Sequence, residues 1–284
     1  MRCLTMFQGT VAEMVSPMKG VLCAGTLERR EEASPGVFIL EFGLDGGGRS
    51  VKPPVPGQFY QFDCGGGPEH MLPRPLSVHG VTTWDSKATV LSFLVEAVGW
   101  GTERLCSLAD GDEVKLLGPL GKGFSGVQEG KALLVAGGMG IAPLFFLASE
   151  MDRHGTEYDL LAGFRTQRRS YRLLSGLEGG VEVYTEDGSL GEKGMVSDGT
   201  GRLTGGAYRA VYACGPQAMM AVVAGFSEEA GVPCEVSLAS RMACGIGSCR
   251  GCVKEGRERG NLCVCSDGPV FDSREVAWTG HPSV

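Results

Sequence analysis

What this chain lacks excludes several functions before any motif is considered. No apolar run approaches the ~20 residues that a membrane-spanning helix requires. The N-terminus, MRCLTMFQGTVAEMVSP, has no continuous apolar stretch of the secretory type, because Glu13 interrupts it. Both absences point to a cytoplasmic chain with no membrane role. Basic charge is also short: 26 Lys and Arg stand against 33 Asp and Glu, for a net charge of −7. Nucleic-acid binding needs a clustered basic surface, so it is excluded as a function. The four histidines, His70, His79, His154 and His281, show no ligand spacing and receive no role. There is no internal repeat and no low-complexity tract. Strand-like alternation first appears in MKGVLCAGTLERREE from Met18, so residues 1–17 read as a disordered extension or a misassigned start.

Cysteine, by contrast, is plentiful, with 11 in 284 residues. A disulfide scaffold suits short secreted chains and even counts, and neither applies. The stretch Arg241 to Asp267, RMACGIGSCRGCVKEGRERGNLCVCSD, sets Cys244, Cys249, Cys252 and Cys265 at C-x4-C-x2-C-x12-C. Its first three cysteines follow the spacing of plant-type [2Fe–2S] ligation, with the fourth thiolate supplied from further along. A structural zinc site uses the same soft ligands, but zinc ribbons usually carry two C-x2-C knuckles. Here the second pair is Cys263-x-Cys265, and the spacing favours iron–sulfur. The other seven cysteines are scattered, as reduced cytosolic thiols are.

The rest of the chain changes character once. Short β runs, VFILEFGL (37–44), QFYQFD (58–63), TVLSFLVEAV (89–98) and EVKLLGPL (113–120), lie between Gly and Pro and predict an antiparallel barrel over residues 18–127. Strands then alternate with helices from KALLVAGGMGIAPLFFLASEMDRHG (131–155) to AYRAVYACGPQAMMAVVAGFSEEAG (207–231), which predicts a parallel sheet over 128–231. The cluster segment fills 232–284, with the strand CEVSLAS leading into it. The fold class is therefore multidomain, a β-barrel plus an α/β domain plus a small cluster domain.

The segment Arg74-Pro75-Leu76-Ser77, the Gly-rich turn AGGMGIAPL (136–144) and the later Ala213-Cys214-Gly215-Pro216 together resemble the ferredoxin–NADP reductase superfamily. With RMACGIGSCRGC and VCSDGPVF added, the chain resembles the branch formed by electron-transfer subunits of NAD-linked dihydroorotate dehydrogenases. The resemblance implies an FAD-binding barrel in which Arg74 holds the pyrophosphate, with Pro75, Leu76 and Ser77 beside the flavin ring. A guanidinium fork suits phosphate oxygens. The resemblance also implies that Gly101 and Thr102 form a second phosphate loop, and that Gly138, Gly140 and Pro143 open the helix over which NAD lies. Cys214 and Gly215 then stand where nicotinamide meets flavin, so that Cys214 and Ser77 flank the reacting atoms. Asp187, Gly188 and Ser189 resemble a segment near the nicotinamide ribose. Arg165, Arg168 and Arg169 would suit a ribose 2′-phosphate, but they read as a solvated run, which keeps NAD. The family's closing cysteine is Cys265. Val264 separates it from Cys263, so in an extended segment the two thiols should face opposite ways.

A flavin exchanges both hydride and single electrons, so nicotinamide, FAD and a cluster form a complete converter. The resemblance implies an FAD/[2Fe–2S] oxidoreductase subunit in pyrimidine biosynthesis. It would pass electrons from an FMN-containing dihydroorotate dehydrogenase catalytic subunit to NAD⁺, within a heterotetramer. Two alternatives stand beside it: the flavin subunit of an NADH-dependent ferredoxin:NADP or sulfide-type reductase, and a zinc-stabilised module without redox function.

Overall fold

A computed structural model describes residues 20–45, 53–84, 89–126, 130–167, 174–258 and 260–278. The extension at 1–17, Arg168, Arg169 and His281, on which sequence readings fell, lie outside the described residues.

Six strands close into an antiparallel barrel in the order β1 (Val21–Ser34), β2 (Val37–Asp45), β5 (Thr89–Glu96), β4 (Arg74–Trp84), β3 (Phe59–Asp63) and β6 (Glu113–Leu120). Alternation along β3 decides what faces where. Tyr60 and Phe62 point inward with Leu40, Phe42, Leu91 and Phe93. The rings of Phe62 and Phe93 meet edge-on at 4.8 Å, the geometry their quadrupoles favour. Phe59 and Gln61 therefore point out of the barrel. Their antiparallel partners on β4 are Ser77 and Pro75, which share that outward face. A short helix, α1 (Trp100–Cys106), fills the connection between β5 and β6.

The second body is the expected parallel sheet. Its order is β10 (Glu192–Lys193), β9 (Gly180–Thr185), β8 (Tyr158–Phe164), β7 (Lys131–Gly137), β11 (Tyr208–Cys214) and β12 (Cys234–Ser237), with β15 (Val270–Asp272) antiparallel at the edge. The continuous apolar run of β7 is that of a strand covered on both faces. Leu133 and Val135 pack with Met219, Met220 and Val223 of α3 (Gln217–Ala230). Ala132, Leu134 and Ala136 pack with Ile141, Leu144 and Leu147 of α2 (Ile141–His154). Pro143 is tolerated in the first turn of α2, where its missing N–H would have no helical partner. The helix ends on Gly155, whose φ of 67° is the left-handed C-cap. Strand order reverses between β7 and β11, so their C-terminal ends frame the crevice in which ligands of such sheets bind.

The last segment has its own hairpin, β13 (Val253–Glu255) with β14 (Asn261–Cys263), and then returns to the sheet as β15. The sequence reading grouped CEVS with the cluster segment, yet Cys234–Ser237 hydrogen-bonds along β11 as the next parallel strand. A four-residue strand carries too little pattern to reveal which sheet it joins.

Candidate functional site

The outward face of β3 and β4 is one wall of the site. The Arg74 guanidinium lies against Gly101 at the start of α1, where a Cβ would stand 2.6 Å from Nε. Only glycine leaves room for the guanidinium there. The Arg74 Nη1 also donates to the Leu72 carbonyl at 2.5 Å, which fixes the side chain across the loop. The Thr102 hydroxyl donates to the Gly99 carbonyl at 3.0 Å and accepts the Val98 N–H at 3.1 Å. It closes the turn, leaving the first N–H groups of α1, not this hydroxyl, as the loop's donors. Trp100 stacks on His70 at 4.0 Å and covers Gly66, a packing role. Leu76 is half-buried against the barrel core. Two residues beyond Ser77, His79 is buried, stacks on Phe145 of α2 at 4.4 Å and joins the barrel to the second body. Burial lowers its pKa to about 4 despite a hydrogen bond with the Ala142 backbone, so the ring is neutral.

The second wall is the crevice of the sheet. Gly140 sits so close to the Cys214–Gly215 turn that a Cβ would lie 2.1 Å from the Cys214 carbonyl oxygen. The Gly-rich turn and the Cys-Gly-Pro turn thus meet backbone to backbone. A cleft of about 240 Å³ opens beside them, lined by Gly138, Arg165, Glu186, Met195, Pro216 and Met219 among others. Ser189 and Asp187 bond to each other through hydroxyl and carboxylate, and the Gln167 N–H donates to the Ser189 hydroxyl at 2.7 Å. Those side chains shape the loop, and it is Arg165 and Glu186 that line the cleft. Burial pushes the Cys214 thiol up to about 12, partly offset by the Ser237 hydroxyl, so it stands as a neutral thiol.

The cysteines form two neighbouring groups. The Cys249 N–H donates to the Cys244 sulfur, and the Gly251 N–H to the Cys249 sulfur, both at 3.4 Å. The Cys265 N–H donates to the Cys252 sulfur at 3.4 Å, and Gly247 donates to the Cys265 sulfur at 3.1 Å. All four nominated sulfurs therefore accept a backbone N–H, as ligand thiolates do. Burial raises the Cys244 thiol, but N–H groups of Cys249, Ile246 and Ser248 and the Cys249 side chain outweigh it and hold it at about 7. A thiolate is the form that binds metal. The expectation for Cys263 is corrected: its sulfur lies 3.6 Å from Cys252 and 3.9 Å from Cys265. β14 ends at Cys263 and a turn follows, so the alternation of an extended strand no longer applies. The Trp278 indole N–H donates to the Ser273 carbonyl at 3.0 Å, and the ring packs on the core.

Sequence reasoning missed Gln61. Its buried amide, with neither Oε1 nor Nε2 partnered, touches Gly245 of the cysteine loop. The one available signal was a polar residue between two aromatics in QFYQFD. The residues fit the groups the fold calls for. The Gly101 cradle over Arg74 suits the pyrophosphate of FAD, the open crevice suits NAD, and the all-sulfur donor set suits an iron–sulfur cluster.

Comparison with known proteins agrees with this geometry. Residues 239–277 match the family model of the iron–sulfur cluster binding domain of dihydroorotate dehydrogenase B. The dihydroorotate dehydrogenase B (NAD(+)) electron transfer subunit of Caldanaerobacter subterraneus is 36% identical over 91% of this chain and 99% of its own. That of Desulforamulus reducens is 37% identical, over 86% and 94%. Among solved structures, an NADH-dependent reduced ferredoxin-NADP oxidoreductase superposes with a TM-score of 0.76 at 27% identity, over 89% of this chain and 90% of the other. The ferredoxin reductase of carbazole 1,9a-dioxygenase, at 18% identity and a TM-score of 0.62, shares the fold.

Proposed function

Because the chain belongs to the family of dihydroorotate dehydrogenase B (NAD(+)) electron-transfer subunits, we propose that it takes electrons from an FMN-containing catalytic subunit that oxidises dihydroorotate. It hands them to NAD⁺ by way of a [2Fe–2S] cluster and FAD, in the pyrimidine pathway of the cytoplasm and within a heterotetramer. Bound FAD supplies the exchange between a hydride and single electrons. The chain's own residues position and seclude. In this reading Arg74 and the α1 N–H groups hold the pyrophosphate, and Ser77 faces the flavin ring. Gly138, Gly140 and the start of α2 receive the dinucleotide. Cys214 and Gly215 form a neutral wall that excludes water from the hydride's path. Cys244, Cys249, Cys252 and Cys265 hold the cluster.

The observation that carries this reading is the contact of Gly245 with Gln61 on the outward face of β3. Ser77 lies on that same face, opposite Phe59 and two residues along β4 from Pro75, the partner of Gln61. In this reading the cysteine loop rests on the wall assigned to the flavin, and that contact supports a short electron path. The opposite side of the loop, with Cys249 exposed and Ile246 at 37% exposure, is where we place the catalytic partner. We divide the chain at 18–127, 128–231 and 232–284, with β12 and β15 as the seam between the last two bodies.

The test is reconstitution. The isolated chain is expected to oxidise NADH with artificial acceptors and to be inert toward dihydroorotate. Adding the FMN-containing subunit should give a stable complex with dihydroorotate:NAD⁺ activity. If no complex forms, and a ferredoxin-linked partner binds and turns over instead, the ferredoxin-reductase reading takes its place.

A further inference from the structure

The turn after β14 brings a fifth thiol to the cysteine centre. Among the described residues, Cys252, Cys263 and Cys265 are the group whose sulfurs all lie within 4.8 Å of one another, and all three are buried. Two thiolates on one tetrahedral metal, with metal–sulfur bonds of about 2.3 Å, stand about 3.8 Å apart. The Cys252–Cys263 separation of 3.6 Å and the Cys263–Cys265 separation of 3.9 Å lie on either side of that value. Cys263 is thus placed as a chelating partner of either neighbour. Backbone donors rank the three. Cys265 accepts the Gly247 N–H and gives its own N–H to Cys252. The Cys263 sulfur instead meets the Ser266 hydroxyl and the two thiols. Its backbone is nevertheless held firmly, since the Cys263 N–H donates to the Asp267 carboxylate at 2.8 Å and its carbonyl accepts from Ser266 and Asp267.

We propose that Cys263 is a substitute ligand for the iron held by Cys252 and Cys265, so that three thiols serve two ligand places on that side of the cluster. The inference rests on the [2Fe–2S] reading above. In the exchange the Cys263 thiol gives up its proton as its sulfur binds iron. The displaced Cys265 thiolate leaves the iron and takes a proton. No oxidation state changes and no co-reactant is consumed. Cys244 and Cys249 lie outside this group of described residues and have no such reserve in it.

The experiment uses the full chain, purified without oxygen. Iron and acid-labile sulfide are measured, with the electron paramagnetic resonance spectrum of the reduced protein and flavin content as the check on folding. Cys265→Ala is expected to keep two irons per chain, as a [2Fe–2S] cluster requires, with altered g values. Cys263→Ala should keep both the iron and the parent spectrum. In the Cys263→Ala/Cys265→Ala double variant, iron should fall roughly tenfold or more, as it should in Cys249→Ala. Cys265→Val, close to cysteine in volume and without a donor atom, is made in parallel, so that a folding defect of the alanine variant does not decide the matter. Loss of the cluster from both Cys265 variants overturns the proposal, and so does its retention in the double variant. Absence of iron and sulfide from the parent chain would overturn the cluster reading itself, and this inference with it.

Discussion

At the scale of single residues, two side chains make opposite demands on the barrel wall. Arg74 is charged and lies in a cradle that a methyl group on Gly101 would fill. Arg74→Ala removes a charge-assisted pair of roughly 1.5–3 kcal/mol, so FAD should bind about tenfold to a hundredfold more weakly. The flavin-to-protein ratio after gel filtration measures this, while iron content should stay unchanged. An unaltered ratio would make Arg74 a surface residue. His79 is held neutral instead. The folded chain keeps its pKa near 4 against 6.5 for the free side chain, because charging the ring in the seam with α2 costs its hydration. The unfolded chain therefore takes up this proton first as pH falls. The stabilisation is complete above pH 6.5 and is lost between 6.5 and 4, amounting to about 3 kcal/mol at most. Thermal unfolding at pH 7 and at pH 4.5 should show a smaller difference for His79→Leu than for the parent. Equal differences in the two would assign the acid sensitivity to other groups.

At the scale of elements, the decisive contact is between two turns. The turn after β7 and the turn after β11 meet backbone to backbone at Gly140, which is what permits the approach. Its φ of −62° is ordinary, so the requirement is space and not conformation. Gly140→Ala should cost roughly 1–3 kcal/mol, as overpacking does, and should part the turns that receive the dinucleotide. The expected result is a lower melting temperature with a higher KM for NADH and little change in flavin content. A variant that melts and binds NADH like the parent would mean that the turns can separate freely.

At the scale of the whole molecule, three bodies meet along one seam. Lys122 donates its N–H to the Gly268 carbonyl at 2.5 Å, and Leu238 donates to the Pro269 carbonyl at 2.9 Å. Gly121 leaves space for Pro269, where a Cβ would approach to 2.5 Å. The end of the barrel, the edge of the parallel sheet and the cysteine segment are thus locked together. The exposed side of the cysteine loop is left facing outward, with Ile246 its exposed large apolar residue. Ile246→Glu should weaken the complex with the catalytic subunit by placing a charge in an apolar contact, while leaving iron and flavin content at parent levels. Unchanged affinity in a titration calorimeter would move the docking surface elsewhere.

The sequence by itself determined the order of the bodies, because period-2 runs between Gly and Pro and strand–helix alternation are local signals. It also determined the ligand class, since C-x4-C-x2-C is a short-range spacing that follows the chain. The nominations of Arg74, Ser77, Gly138 and Cys214 likewise came from contiguous motifs. Facts that join distant segments were beyond it. β12 is four residues long, and only hydrogen bonds to β11 and β15 place it in the sheet. Gln61 looks like any polar strand residue until Gly245 is seen resting on it. Cys263 is read by strand alternation as facing away from Cys265, but the strand ends at that residue. The turn that follows folds both sulfurs to one side, because backbone bonds to Asp267 and Ser266 curl the chain before the alternation can continue.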